Sequence, residues 1–123
     1  MTETLVTIED DINLFPYTTL GNKTNKKILV LMAGFPDNTI SAFGEDNLRA
    51  LSNDYYVISL CLPGYAKKKA RKWAYNFDEL ILSMHRTIHL LVEDSTFYLV
   101  GHDWGSHIVQ LYQMKYPQNV LKL

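Results

Sequence analysis

The sequence is short of the features that mark secreted, membrane-spanning or nucleic-acid-binding proteins. Cys61 is the one cysteine among 123 residues, so no disulfide can form within the chain. Its place in an apolar stretch suggests a small buried thiol rather than a reactive one. No apolar run approaches the ~20 residues that a membrane-spanning helix needs. The opening Met1-Thr2-Glu3-Thr4 lacks both the basic patch and the apolar stretch of a secretory signal. Charge of one sign is missing too: a net charge of −1 gives no electrostatic reason to expect nucleic acid or an anionic membrane. Repeats and low-complexity tracts are absent. The expectation is a soluble, cytoplasmic protein, and the 47% hydrophobic, 20% charged composition is that of an ordinary globular chain.

What is there alternates. Residues 4–8 and 12–18 read as two antiparallel strands, and residues 21–27 as a polar connector. The unbroken apolar run 28–32 suits a strand buried on both faces of a parallel sheet. A helix is expected over 41–51 in spite of Gly44, with Ala42, Phe43, Leu48 and Leu51 turned inward. Residues 56–60 form the next central strand. Asn76 and Glu79 make a capping box for a helix running to Val92. Its apolar residues Phe77, Leu80, Ile81, Met84, Ile88 and Leu91 recur at helical spacing. Then come an apolar strand at 96–100, a helical pattern over 106–116, and the beginning of one more strand at 120–123. Strand and helix in alternation imply right-handed crossovers and a doubly wound α/β sheet led by an antiparallel hairpin. No boundary divides residues 1–123, which read as a single partial domain.

Between the strand at 96–100 and the following helix stands Gly101-His102-Asp103-Trp104-Gly105. A strand, a G-x-nucleophile-x-G turn and a helix make a nucleophile elbow, whose glycines let the strained central residue pass between strand and helix. The apex here is an aspartate. A carboxylate that attacked an acyl carbon would give a labile anhydride, so its useful targets are saturated carbon or phosphorus. Displacement at saturated carbon leaves an alkyl ester that an activated water then cleaves, and an oxyanion hole assists that second step. The backbone N–H of Trp104 is one expected donor. The plainer alternative is that Asp103 only caps the helix starting at Trp104. A second motif, Ala33-Gly34-Phe35-Pro36-Asp37, follows the strand at 28–32. Gly34 lets the chain turn, Pro36 fixes the loop, and the N–H of Phe35 is placed to be the second donor. Taken without the elbow, this is an ordinary strand-to-loop turn. Both motifs fall at carboxyl ends of parallel strands, where ligands of open α/β sheets gather.

These residues resemble the α/β-hydrolase superfamily, in its branch of epoxide hydrolases and haloalkane dehalogenases. That branch carries H-G-x-P after the third strand and G-H-D-W-G at the elbow, the latter unaltered here at 101–105. The resemblance extends to Leu62-Pro63-Gly64-Tyr65, to Asn76-Phe77-Asp78-Glu79-Leu80 and to Tyr116-Pro117-Gln118-Asn119-Val120. It implies the N-terminal half of the α/β-hydrolase fold. It also implies Asp103 as nucleophile, Trp104 and Phe35 as oxyanion donors, and Gly34, Pro36, Gly101, His102 and Gly105 as residues that shape the site. The implied substrate is a small apolar epoxide or alkyl halide, with no cofactor and no metal. Ala33 departs from the branch, which has histidine there. Phe35 favours epoxide opening, since dehalogenases often place a halide-binding asparagine at that position and phenylalanine donates no hydrogen bond.

In such enzymes the histidine base, a supporting acid and a tyrosine-bearing cap lie further along than this sequence reaches. His85, His89, His102 and His107 are not assigned as substitutes for that base. The expectation is therefore a fragment that does not turn over alone, complemented by a C-terminal half; a non-catalytic truncated remnant is the alternative. The elbow strand is expected to keep an unpaired outer edge, an aggregation hazard. The basic run at 67–72 reads as solvated loop charge. His85 and His89 have chelate spacing but lack the glutamate of a zinc-protease motif, so no metal is expected.

Overall fold

The computed structural model describes residues 6–8, 14–22, 27–34, 37–62 and 77–123. Its elements are β1 (Val6–Ile8), β2 (Tyr17–Leu20), β3 (Lys27–Met32), α1 (Glu45–Leu51), β4 (Tyr55–Leu60), α2 (Phe77–Val92), β5 (Phe97–Gly101), α3 (Trp104–Lys115) and β6 (Val120–Lys122). A 3-10 turn at Pro117–Asn119 joins α3 to β6. The strands form one sheet in the order β1-β2-β4-β3-β5-β6. β1 and β2 run antiparallel, β2 runs antiparallel to β4, and β4, β3, β5 and β6 are mutually parallel. This is the expected doubly wound, mostly parallel sheet behind an antiparallel hairpin. Because β4 and β5 flank β3 on opposite sides, the winding reverses at β3, and a crevice opens beyond the carboxyl ends of β3 and β5.

Alternation along the central strands sends side chains to two cores. Val30, Met32, Ile58, Leu60 and Leu99 face α2 and α3, meeting Met84, Ile88, Ile108 and Tyr112. Leu29, Leu31 and Val57 face α1, meeting Leu48. Cys61 is fully buried just after β4, as its apolar context suggests.

Several boundaries differ from expectation for physical reasons. β2 begins at Tyr17, not at residue 12, because Pro16 has no N–H for a ladder. Phe15 is buried instead in an irregular segment, its N–H donating to Thr87 Oγ1 at 2.8 Å. α1 begins at Glu45 rather than at residue 41, because Gly44 takes φ +83° and ends any helical path before it. Phe77 does not join the core: it overhangs the start of α2, 51% exposed. The elbow strand's outer edge is not bare throughout, since β6 pairs with Phe97 and Tyr98. The basic run at 67–72 and Asn76 lie outside the described residues. No helix among the described residues is long and apolar enough to cross a membrane.

α2 and α3 meet through His85. Its Nδ1 lies 2.9 Å from the Tyr112 hydroxyl. Its ring stacks on Tyr116 at 3.8 Å, 4° from parallel. Burial pushes the His85 pKa below its ordinary value; His89 and Lys115 push the same way, and Asp94 opposes them. The fold thus favours the neutral ring. The unfolded chain takes up a proton first as pH falls below the usual histidine pKa of about 6.5, so stability is full above that pH and declines below it until the folded pKa is passed. Thermal melts taken at about pH 7.5 and pH 5.5 are expected to show this loss, and H85Q to reduce the difference. An undiminished difference in H85Q would place the titration elsewhere.

Candidate active site

The turn between β5 and α3 is held by backbone on every side. His102 N–H donates to the Met32 carbonyl at 3.1 Å, tying the turn to the end of β3. Gly105 N–H donates to the His102 carbonyl and Ser106 N–H to the Asp103 carbonyl, each at 2.9 Å. Ser106 Oγ donates to the Gly101 carbonyl at 3.2 Å. Between these bonds Asp103 is forced to φ +58°, ψ −128°. A side-chain residue in such a region costs on the order of 1–3 kcal/mol.

The glycines show why the turn tolerates nothing larger. A Cβ on Gly101 would stand 2.5 Å from the Gly105 carbonyl oxygen and 2.7 Å from Val109 Cγ2. One on Gly105 would run into the Met32 carbonyl, with the Ala33 carbonyl oxygen 3.1 Å away. One on Gly34 would lie 2.6 Å from Trp104 N and 2.8 Å from both Asp103 Oδ2 and the His102 carbonyl oxygen. The bare Cα of Gly34 is therefore what lets the carboxylate and the Trp104 amide close onto the end of β3. Gly34, Gly101, His102, Asp103, Trp104 and Gly105 all meet at the crevice. Phe35 and Pro36 lie outside the described residues.

Asp103 is not a helix cap. It occupies the N-cap position of α3, but its carboxylate makes no capping hydrogen bond and its backbone is outside the region usual for caps. The carboxylate is exposed to the crevice. Trp104 N–H donates to no acceptor among the described residues, so a donor stands open beside the carboxylate. That combination of a strained, uncapped acid with an unused amide at a helix start can hold an anionic intermediate formed on the acid itself.

The strand-end loop is braced by groups that no local sequence pattern reveals. Asp37 N–H donates back to the Gly34 carbonyl at 2.9 Å. Asn38 Oδ1 accepts from the N–H groups of Ile40 and Ser41, each at 2.9 Å. Thr39 is buried, its hydroxyl 2.7 Å from that of Thr18 and its carbonyl accepting from Ser59 Oγ. The loop leaving Gly34 is thereby pinned to β2 and β4. Ala33, where the resembled branch has histidine, is fully buried and its N–H donates to the Leu60 carbonyl at 2.9 Å. Backbone and the Thr39 cluster thus support this loop.

The four histidines are placed apart from the carboxylate. His85 is occupied by Tyr112 and Tyr116, and His89 Nδ1 lies 3.5 Å from Asp94 Oδ1. His102 turns its ring edge-on to Phe43, with centroids 6.2 Å apart. His107 stands between Phe77 and Trp104, edge-on to each. No hydrogen bond or ion pair joins any of them to Asp103 among the described residues. Nor do the described residues include a cluster of three His, Cys, Asp or Glu fit to hold a metal ion.

Comparison with known proteins identifies the fold. Residues 27–123 match the family model described as alpha/beta hydrolase fold. Epoxide hydrolase 4 of Mus musculus is 32% identical over 99% of this chain, and that of Homo sapiens 33% over the same share. Among solved structures, an epoxide hydrolase from Bacillus megaterium superposes with a TM-score of 0.71 at 25% identity, over 94% of this chain and 39% of that one. The chain spans about a third of the length of the curated relatives it matches, 33% of each epoxide hydrolase 4.

Proposed function

We propose, for a chain that belongs to the alpha/beta hydrolase fold family, that the elbow carries epoxide-opening chemistry with Asp103 as the nucleophile. A carboxylate oxygen of Asp103 attacks an epoxide carbon, the carbon–oxygen bond of the ring breaks, and the released alkoxide takes a proton from solvent or an acid. The product is a 2-hydroxyalkyl ester of Asp103. Water then adds to the ester carbonyl, the Trp104 N–H stabilises the oxyanion, and collapse releases a diol and restores the carboxylate. Phe35 N–H is the second donor in this reading, with Gly34 and Pro36 shaping its loop and Gly101, His102 and Gly105 shaping the elbow.

The observation that carries the reading is the Asp103 backbone at φ +58° with its carboxylate uncapped and packed against Gly34. The names of the relatives support an epoxide over an alkyl halide as the substrate. The second step needs a general base, and none of the described histidines is hydrogen-bonded or ion-paired to Asp103. Since the relatives are about three times as long, we read the base and a cap as contributions of a C-terminal portion, joined to this chain or complementing it. A cytoplasmic setting goes with the same reading.

Incubating the chain with a terminal epoxide, followed by mass spectrometry of the Asp103 peptide, tests the first step. The expected result is an ester on Asp103 that persists, because its hydrolysis lacks a base. With a complementing C-terminal portion in ¹⁸O-water, one heavy oxygen is expected in the Asp103 carboxylate. Turnover without label would reject the covalent route.

A further inference from the structure

The later turns of α2 carry two imidazoles on one face. His85 and His89 are one helical turn apart, a spacing that makes side chains neighbours. Their ring centres lie 6.0 Å apart. Both rings line one cavity of about 430 Å³, together with Asp94 just past the helix and Leu14 from the segment before β2. That segment is fastened to α2 by the bond from Phe15 N–H to Thr87 Oγ1 at 2.8 Å. α2 ends at Val92, just before β5 begins at the amino edge of the sheet, whereas Asp103 follows the carboxyl end of β5. The cavity is thus framed by α2 and its neighbours in this chain, apart from the crevice.

Each imidazole has a partner behind it. His85 Nδ1 lies 2.9 Å from the Tyr112 hydroxyl, and His89 Nδ1 lies 3.5 Å from Asp94 Oδ1. A histidine that ligates a metal through Nε2 commonly gives its Nδ1 proton to such an acceptor, which fixes the tautomer and the ring plane. Among the described residues neither Nε2 has a hydrogen-bond partner, so one nitrogen on each ring is left over. The His85 ring is held firmly by its stack on Tyr116 at 3.8 Å. His89 is half exposed and free to turn. Two imidazoles on one tetrahedral ion, with metal–nitrogen bonds of about 2.0 Å, have their centres roughly 5 Å apart. A rotation of the His89 ring covers the difference from 6.0 Å. Arg86 at the cavity wall opposes a cation there, and Asp94 offsets it. The spacing of the histidines, with no glutamate between them, gave no reason to expect a metal; the partners behind the rings are what spacing does not reveal.

We propose that His85 and His89 bind a borderline divalent metal ion, zinc being the type, through their two Nε2 atoms, with water completing its shell. Tyr112 and Asp94 are positioning residues: each accepts the proton on an Nδ1, and neither bonds to the ion. Imidazole nitrogen suits zinc, copper and nickel, whereas magnesium takes oxygen ligands. The site goes beyond the epoxide chemistry and does not depend on it. With two protein ligands it is neither a closed structural zinc site nor a three-ligand catalytic one. An ion held there braces one turn of α2 and stabilises the folded chain by mass action.

Isothermal titration of the tag-free chain with zinc chloride tests the site, at about pH 7.5, where ordinary imidazoles are mostly neutral. One ion per chain is expected to bind, and magnesium chloride to give no binding heat. H89Q replaces an exposed ring, so the fold should survive and the binding vanish. H85Q should lose binding as well, with far-ultraviolet circular dichroism checking its fold. Y112F keeps both ligands but removes the acceptor behind His85, and affinity should fall about tenfold. H107Q should bind as the parent does. In proton magnetic resonance spectra the ring signals of His85 and His89 should shift together on adding zinc, while those of His107 stay. A parent that binds no zinc, or an H89Q variant that binds as tightly as the parent, would overturn the site. A Y112F variant as tight as the parent would overturn the positioning.

Discussion

Replacing Gly105 by alanine should cost the chain about 3 kcal/mol or more, at the upper end of what overpacking a tight site does. The new methyl would collide with the Met32 carbonyl and come within 2.9 Å of its carbon. Neither partner is a side-chain tip that can swing aside. Both are backbone, one at the end of β3 and one at the first turn of α3. Relief requires α3 to back away from the sheet, which stretches the bond from His102 N–H to the Met32 carbonyl and opens the Ile108 and Val109 packing. The melting temperature is expected to fall by roughly 10 °C, on the usual conversion for a domain of this size. Gly44→Ala is the instructive comparison. Gly44 sits at positive φ, +83°, which Gly105 does not, and its new methyl would meet only Asn47 Nδ2, at 3.6 Å. Backbone strain without collision should cost about 1 kcal/mol there. Similar melts for G105A and G44A would mean that close approach of α3 to β3 is not what fixes the elbow.

That contrast also explains what the sequence made legible. The elbow could be read because its requirements are local: a buried strand, two glycines, a helix, all contiguous in the chain. The doubly wound, mostly parallel character of the sheet followed from alternation, since crossovers of one hand leave few topologies. Harder were features that depend on distant partners. Thr39 looks like any loop threonine until Thr18 and Ser59, twenty or more residues away, close on it. Its signal, a run of small hydroxyl residues inside otherwise apolar strands, is visible only once the strands are known to adjoin the loop. Phe77 fits the apolar period of α2, yet period alone does not say where the helix projects past the core. At its first turn the neighbour is His107 of α3, so the ring completes a surface strip. Pro16 misplaced the start of β2 in a simpler way: Phe15 before it is buried, but burial without ladder bonds is not strand.

The second large effect concerns Asp103, where stability and chemistry should part. Its φ of +58° and ψ of −128° suit glycine and strain every other residue. No capping bond from the carboxylate offsets that strain. Asp103→Gly is therefore expected to stabilise the chain by about 1 kcal/mol, raising the melting temperature by roughly 4 °C. The same change removes the attacking oxygen, so epoxide labelling at this position should disappear entirely. Asp103→Asn separates the two consequences. It keeps the side chain's size and the backbone strain, so stability should stay within about 0.5 kcal/mol of the parent. It replaces the carboxylate by an amide that does not attack a saturated carbon, so labelling should again vanish. A residue retained for packing would give the opposite pattern, with both variants destabilised. Stabilisation by glycine together with silence from asparagine is what a strained acid kept for its reactivity predicts, and thermal melts alongside labelling of the three proteins decide it.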